Sequence, residues 1–146
     1  MGPDLRPGRS RFPRGAPYAS DPGYFQSPLT GFHHVSDWRI SWCRHAESFY
    51  EAPLSMRYSD LDPKAHYRVR VVYAGDNNRA KVRLVANGDI EIHPWRTKDS
   101  PPRPVEFEIP SPGTSSGELN LSWYQEPGRG GAGRGCQVAE VWLIKK

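Results

Sequence analysis

The chain has 146 residues, with 20 Lys or Arg against 16 Asp or Glu, a formal net charge of +4 and 36% hydrophobic residues. That leaves room for one domain plus a tail, and the positive surplus is too small to mark a nucleic-acid binder. No apolar run reaches membrane-spanning length and no apolar secretory core follows Met1, so neither a membrane span nor a cleaved signal is expected, and the compartment stays open.

Residues 1–35 are rich in Pro, Gly, Arg and Ser, with Arg6, Arg9, Arg11 and Arg14 set against Asp4 and Asp21. Such a stretch has too little apolar surface to offset the entropy of ordering it, and reads as a linker or tail. Its arginines are too few and too scattered for an RNA-binding arm. From Trp38 onward the pattern changes to period two, the signature of half-buried strands. Trp38, Ile40 and Trp42 alternate with Arg39 and Ser41; Leu54, Met56 and Tyr58 with Ser55 and Arg57; Tyr67, Val69, Val71 and Tyr73 with Arg68 and Arg70. Val82 and Leu84, Ile90 and Ile92, then Val105, Phe107 and Ile109 continue the series, and Leu119, Leu121 and Trp123 alternate with Asn120 and Ser122. The final run, "CQVAEVWLIKK", is apolar on both faces and reads as a central strand.

Turn signals separate these segments, and Asn87-Gly88-Asp89 suits a tight hairpin because Asn and Gly tolerate positive φ. Arg44–Ala52, "RHAESFYEA", is the one stretch that suggests a short turn of helix. The expectation is an all-β, two-sheet antiparallel β-sandwich of about eight strands over residues 36–146, a count that favours a jelly roll.

Four motifs compete for attention. Gly128, Gly130 and Gly133 have the spacing G-x-G-x-x-G, but a dinucleotide fingerprint needs a helix after the turn, and here a strand is expected on each side. The segment reads as a flexible strand connection first and a ligand rim second. His33, His34, Cys43 and His45 match no common zinc spacing, and His33 and His34 are neighbours in an expected loop. Asp37, Glu47, Asp76 and Glu126 are acids on separate segments, with nothing in the spacing to pair them for glycoside hydrolysis. Cys43 and Cys136 are the only cysteines, and free thiols are favoured over a disulfide.

The segments "YSDLDPKAHYRVRVVYAGD" and "GELNLSWYQEPGRGGAGRGCQVAEVWLIKK" resemble the central and closing strands of galactose-binding-domain-like jelly rolls, including those at the C-terminal end of large multidomain proteins. The resemblance covers roughly Trp38 to Lys146 and implies a non-catalytic carbohydrate-binding module, often attached to a glycan-processing enzyme and then extracellular. It also implies a structural calcium ion, although no ligand can be matched residue by residue. Partners are expected to be carbohydrate or neighbouring domains of a longer chain, with no nucleic acid, no membrane and a monomeric state. The alternative is a structural or protein-interaction sandwich packed against other domains of its parent.

An exposed aromatic ring stacks on the C–H face of a sugar while polar groups fix its hydroxyls. Trp95, in the Pro-containing "HPWRTKD", and Tyr124, on the opposite face of its strand from Trp123, are the platform candidates. Asp76, Arg129 and Arg134 are the candidate polar partners. Trp38, Trp42 and Trp123 read as core.

Overall fold

A computed structural model describes residues 9–11, 30–34, 44–75, 79–128 and 136–146. Among the described residues ten strands run in order: β1 (Arg9–Arg11), β2 (Thr30–His34), β3 (Arg44–Ser48), β4 (Leu54–Tyr58), β5 (Tyr67–Tyr73), β6 (Lys81–Ala86), β7 (Ile90–Thr97), β8 (Pro104–Ile109), β9 (Leu119–Gln125) and β10 (Val138–Lys145). One sheet has the order β2-β3-β10-β5-β8, with β1 also on β10, and the other has the order β4-β9-β6-β7. Every pairing is antiparallel. Within β3–β10 the chain changes sheet at every connection except the β6–β7 hairpin, which is the jelly-roll winding. Among the described residues no helix is long and apolar enough to cross a membrane.

The period-two segments form strands because their apolar sides meet between the sheets. Leu54 and Met56 of β4, Leu119, Leu121 and Trp123 of β9, and Val82 and Leu84 of β6 supply one inner face. Tyr67, Val69, Val71 and Tyr73 of β5, with Val141 and Leu143 of β10, supply the other. Trp123 is fully buried. An aromatic ring of this kind removes about 150–250 Å² from water, roughly 4–6 kcal/mol of gross transfer free energy at ~25 cal/mol per Å². The both-faces-apolar run is central as expected, with β10 lying between β5 and the β3/β1 edge. Its outward Ala139 packs with Val72 and Ala74 in a small second cluster.

Outside the core, the alternating charges pair across strands. Arg68 reaches Glu108 at 2.6 Å and Arg70 reaches Glu106 at 2.8 Å. These partners are half-exposed, so each pair contributes at most about 1 kcal/mol.

Two expectations are corrected. Arg44–Ser48 is strand β3, not a turn of helix. His45, Ala46, Glu47 and Ser48 are all buried, and the strand is held between β2 and β10, so sheet pairing outweighs a weak local tendency toward helix. His33 and His34 lie on strand β2 rather than in a loop, with His33 opposite His45. Two short pieces of the stretch read as a tail, Arg9–Arg11 and Thr30–His34, therefore pair with the sheet. The expected strand Trp38–Trp42 lies outside the described residues.

The Asn87-Gly88 hairpin forms as expected, with φ of 51° and 85° at its two central residues. Asn87 also uses its side chain: Nδ2 donates to the Gly113 carbonyl at 2.8 Å and Oδ1 accepts from the Asn120 N–H at 2.9 Å.

Gly75 and Gly88 both have positive φ, but a Cβ at Gly88 meets nothing within 4 Å whereas one at Gly75 would lie 2.2 Å from Gln137 Oε1. Gly88→Ala is therefore expected to cost about 1–2 kcal/mol, from backbone strain alone. Gly75→Ala adds an overpacking cost of about 1–3 kcal/mol. Urea unfolding of the two variants checks the order; equal midpoints would contradict it.

Candidate functional site

The two platform candidates come together on the outer face of the four-stranded sheet. On β9, Trp123 faces the core, so alternation sends Tyr124 outward, where it is half-buried. Tyr124 stands opposite Arg83 of β6. On the other side of Arg83 the register slips: Val82 pairs with Arg96 and Leu84 with His93, leaving Pro94 and Trp95 both opposite Arg83. This bulge turns Trp95 outward, 38% exposed. Strands lie about 4.8 Å apart, so Tyr124 and Trp95 flank Arg83 at a backbone separation of about 10 Å. Arg83 pairs with Glu91 of the adjoining row, Nη2 to Oε2 at 3.3 Å, and its guanidinium has further N–H donors beyond that contact. The adjoining row is Ser55, Ser122, Val85 and Glu91, in which the two serine hydroxyls bond each other at 3.2 Å and Val85 is buried.

Directly beneath the bulge, a chain of hydrogen bonds ties the two sheets. Trp123 Nε1–H donates to Tyr73 Oη at 2.9 Å, and Tyr73 Oη lies 2.6 Å from His93 Nε2. His93 Nδ1 lies 2.7 Å from the Pro94 carbonyl oxygen. A carbonyl can only accept, so Nδ1 carries the proton, Nε2 is the acceptor of a neutral ring, and Tyr73 donates its hydroxyl hydrogen to it. Burial raises the Tyr73 hydroxyl above its ordinary value, partly offset by the Trp123 hydrogen bond. Burial lowers the His93 ring below its ordinary value, against the opposing pull of the Pro94 carbonyl. Phe107 of β8 lies at 4.5 Å from the His93 ring, and the Arg96 guanidinium sits 5.3 Å from the Phe107 ring centre.

A second polar cluster closes one end of the sandwich. Lys98 is buried after β7 and donates to the Ala74 carbonyl at 2.9 Å and to Gln137 Oε1 at 2.6 Å. Gln137 Nε2 donates to Glu47 at 3.0 Å, and His45 Nε2 lies 3.2 Å from the same carboxylate oxygen. Four connections are thereby anchored together: the ends of β3, β5 and β7 and the approach to β10. At the same end Tyr50 is 63% exposed with φ 57°, and the neighbouring Glu51 Oε1 accepts the Gly128 N–H at 2.9 Å. The sequence carried no signal for Tyr50, since nothing in it announces a left-handed turn at a tyrosine.

Of the sequence candidates, Trp95 and Tyr124 are brought onto one face, whereas Asp76, Arg129 and Arg134 lie outside the described residues. Glu47 is not an exposed acid but a buried acceptor on β3, and His45 is its partner. Asp37, Trp38, Trp42 and Cys43 lie outside the described residues. Trp123 is core, as expected. The glycine segment is followed by strand β10, and among the described residues no helix begins there. Arg83 was missed, because in the sequence it reads only as the polar alternate of β6.

No family model and no characterised protein sequence matches the chain. Solved structures do. A family 35 carbohydrate binding module from Clostridium thermocellum is similar over 81% of this chain and 89% of its own, at 12% identity and a TM-score of 0.51. The module TmCBM61 in complex with beta-1,4-galactotriose is similar over 81% of this chain and 83% of its own, at 14% identity and a TM-score of 0.49. An exo-beta-1,3-galactanase from Phanerochaete chrysosporium is similar over 84% of this chain at 14% identity and a TM-score of 0.46; this chain spans 26% of its length. The fold shared with the family 35 module is a two-sheet antiparallel jelly roll. In this jelly roll no three carboxylate, imidazole or thiol groups among the described residues converge on a point that would hold a cation.

Cys136, at the loop end of the jelly roll, is a free and buried thiol whose Sγ–H donates to the Trp123 carbonyl. Burial pushes it up to about 12, with the Ser48 hydroxyl and Lys98 pulling the other way. Alkylation at pH 8 followed by peptide mapping is expected to leave Cys136 unmodified in the folded protein and fully modified in urea. Rapid labelling of the folded form would contradict the buried placement.

Proposed function

We propose that residues 36–146 are a non-catalytic carbohydrate-binding module, one domain of a larger protein, and that sugar is held on the outer face of the four-stranded sheet. The observation that carries this reading is the register that sets Trp95 and Tyr124 on either side of Arg83. Two rings supply faces for the apolar C–H surface of a sugar, and the guanidinium between them supplies hydrogen bonds to its hydroxyls. Within residues 1–35, Arg9–Arg11 and Thr30–His34 lie along the larger sheet and the rest acts as the linker, and the domain works as a monomer. The fold likeness to a family 35 carbohydrate binding module supports the class, and the galactotriose held by TmCBM61 suggests galactose-containing oligosaccharides as the first ligands to try.

Tyr50 favours a second reading. An aromatic ring left 63% exposed at the loop end suits a contact with a neighbouring domain, which would make the jelly roll an interaction module.

Calorimetric titration separates the two. With beta-1,4-galactotriose and an acidic oligosaccharide, Trp95→Ala and Tyr124→Ala are each expected to weaken binding about tenfold, a loss of ~1.4 kcal/mol of stacking. Arg83→Ala is expected to weaken both ligands as well, through lost hydrogen bonds. Replacing Arg129 and Arg134 together with Ala is expected to leave the neutral sugar unchanged and to weaken the acidic one modestly, because exposed charges act through screened attraction. Binding of no sugar by the intact domain, with or without calcium, would favour the interaction module; tight ATP or RNA binding would overturn both.

A further inference from the structure

Trp95 owes its exposure to a bulge, and the bulge sits on a titratable ring. The only residue between His93 and Trp95 is Pro94, whose carbonyl accepts the His93 Nδ1–H at 2.7 Å and is bonded directly to the Trp95 nitrogen. The other ring nitrogen is engaged by Tyr73 of the opposite sheet, whose oxygen is already taken by Trp123. The orientation of the Pro94–Trp95 peptide is thus fixed from the core, through three hydrogen bonds with unambiguous direction.

We infer that His93 is a positioning residue for Trp95 and that it holds the bulge only while its ring is neutral, so that acidification displaces Trp95 on the outer face. A second ring proton turns Nε2 from an acceptor into a donor. Tyr73 Oη would then receive hydrogens from both Trp123 and His93, and its own hydroxyl hydrogen would lose its acceptor inside the core. Something must move. Trp123 lies in β9 and Tyr73 in β5, each paired on both sides, whereas among the described residues β7 is an edge strand paired only to β6. Strain is relieved most easily there, at the bulge itself.

The charged and titratable surroundings agree with a neutral ring. Tyr73 approaches from β5, and Arg96 from β7 disfavours the charged ring while Glu91 from the same strand favours it. Phe107 of β8 and Trp123 of β9 bring no charge, and Cys136 acts on Tyr73 from the segment before β10. Burial lowers the folded-state value below the 6.5 of a free ring. The unfolded chain therefore takes up this proton at a higher pH than the folded one. The neutral-ring contribution to stability is complete above pH 6.5 and is lost as pH falls from there through the lowered folded value.

The consequence for sugar affinity rests on the outer-face reading above; the consequence for Trp95 does not. Ring ¹⁵N spectra are expected to show His93 as the Nδ1–H tautomer at pH 7.5. In protein labelled with 5-fluorotryptophan, the ¹⁹F signal assigned by Trp95→Phe is expected to shift with the His93 midpoint, below pH 6.5, while the Trp142 signal on the other sheet stays in place. His93→Gln offers one donor to Pro94 and one acceptor to Tyr73 but does not titrate, and is expected to hold the Trp95 signal constant across the same range. With beta-1,4-galactotriose as probe, affinity is expected to fall about tenfold from pH 7 to pH 5 in the native protein, as one displaced stacking contact requires, and to stay level in the Gln variant. An Nε2–H tautomer, a Trp95 signal that ignores the His93 titration, or an unchanged pH response in His93→Gln would each overturn the inference. Absence of sugar binding at both pH values, with the ¹⁹F response intact, would remove the outer-face reading and leave the positioning role standing.

Discussion

A fully buried indole N–H must find an acceptor, and for Trp123 that acceptor is on the other sheet. Apolar faces alone would let two sheets slide over one another at modest cost, since hydrophobic burial has no direction. The Trp123–Tyr73 bond does have direction. It sets β9 against β5 at one register, and Tyr73 then requires a neutral acceptor within reach, which His93 provides. His93 in turn needs an acceptor for its remaining N–H and takes the nearest carbonyl, that of Pro94. The bulge in β7 lets one strand satisfy both demands, with His93 pointed inward and Trp95 pointed out.

The loop end is organised by a different rule. Lys98, Gln137, Glu47 and His45 are buried polar groups that hold one another in place. A buried ammonium carries a desolvation penalty and adds little net stability, but removing one member would leave its partners unsatisfied, at a cost of about 3–5 kcal/mol for a broken buried pair. Such a cluster specifies where the connections start more than it strengthens the fold. It also explains why Gly75 has no side chain: the space a Cβ would take is filled by Gln137. Loops that begin from a rigid, fully bonded base are well suited to carry recognition residues.

The legible parts of the sequence were those governed by a local pattern. Val69, Val71 and Tyr73, or Leu119, Leu121 and Trp123, announce strands because one face meets the core and the other meets water. Asn87-Gly88 announces its hairpin because both residues accept positive φ. Arg44–Ser48 is illegible for the opposite reason. With His45, Ala46, Glu47 and Ser48 all buried, the strand has no wet face to produce an alternation. Its buried His and Glu look like surface residues until their partners from distant segments are in view. Arg9–Arg11 and Thr30–His34 likewise pair with strands far along the chain, and no local pattern announces them.

The candidate site divides in the same way. That Tyr124 faces away from the core follows from its neighbour Trp123, because alternation along a strand is a property of the backbone. That Trp95 joins it on the same face depends on a one-residue slip opposite Arg83, a misfit between two strands that neither strand's own sequence contains. By itself the sequence determined the class of fold, most of the strands, the hairpin and the core tryptophan, since each follows from the period of a short segment. Only the tertiary structure decided the partners: Trp123 with Tyr73, Lys98 with Gln137, Tyr124 with Arg83 and Trp95. Those depend on register between segments up to 50 residues apart for the indole bond, and register is a property of the assembled sheets.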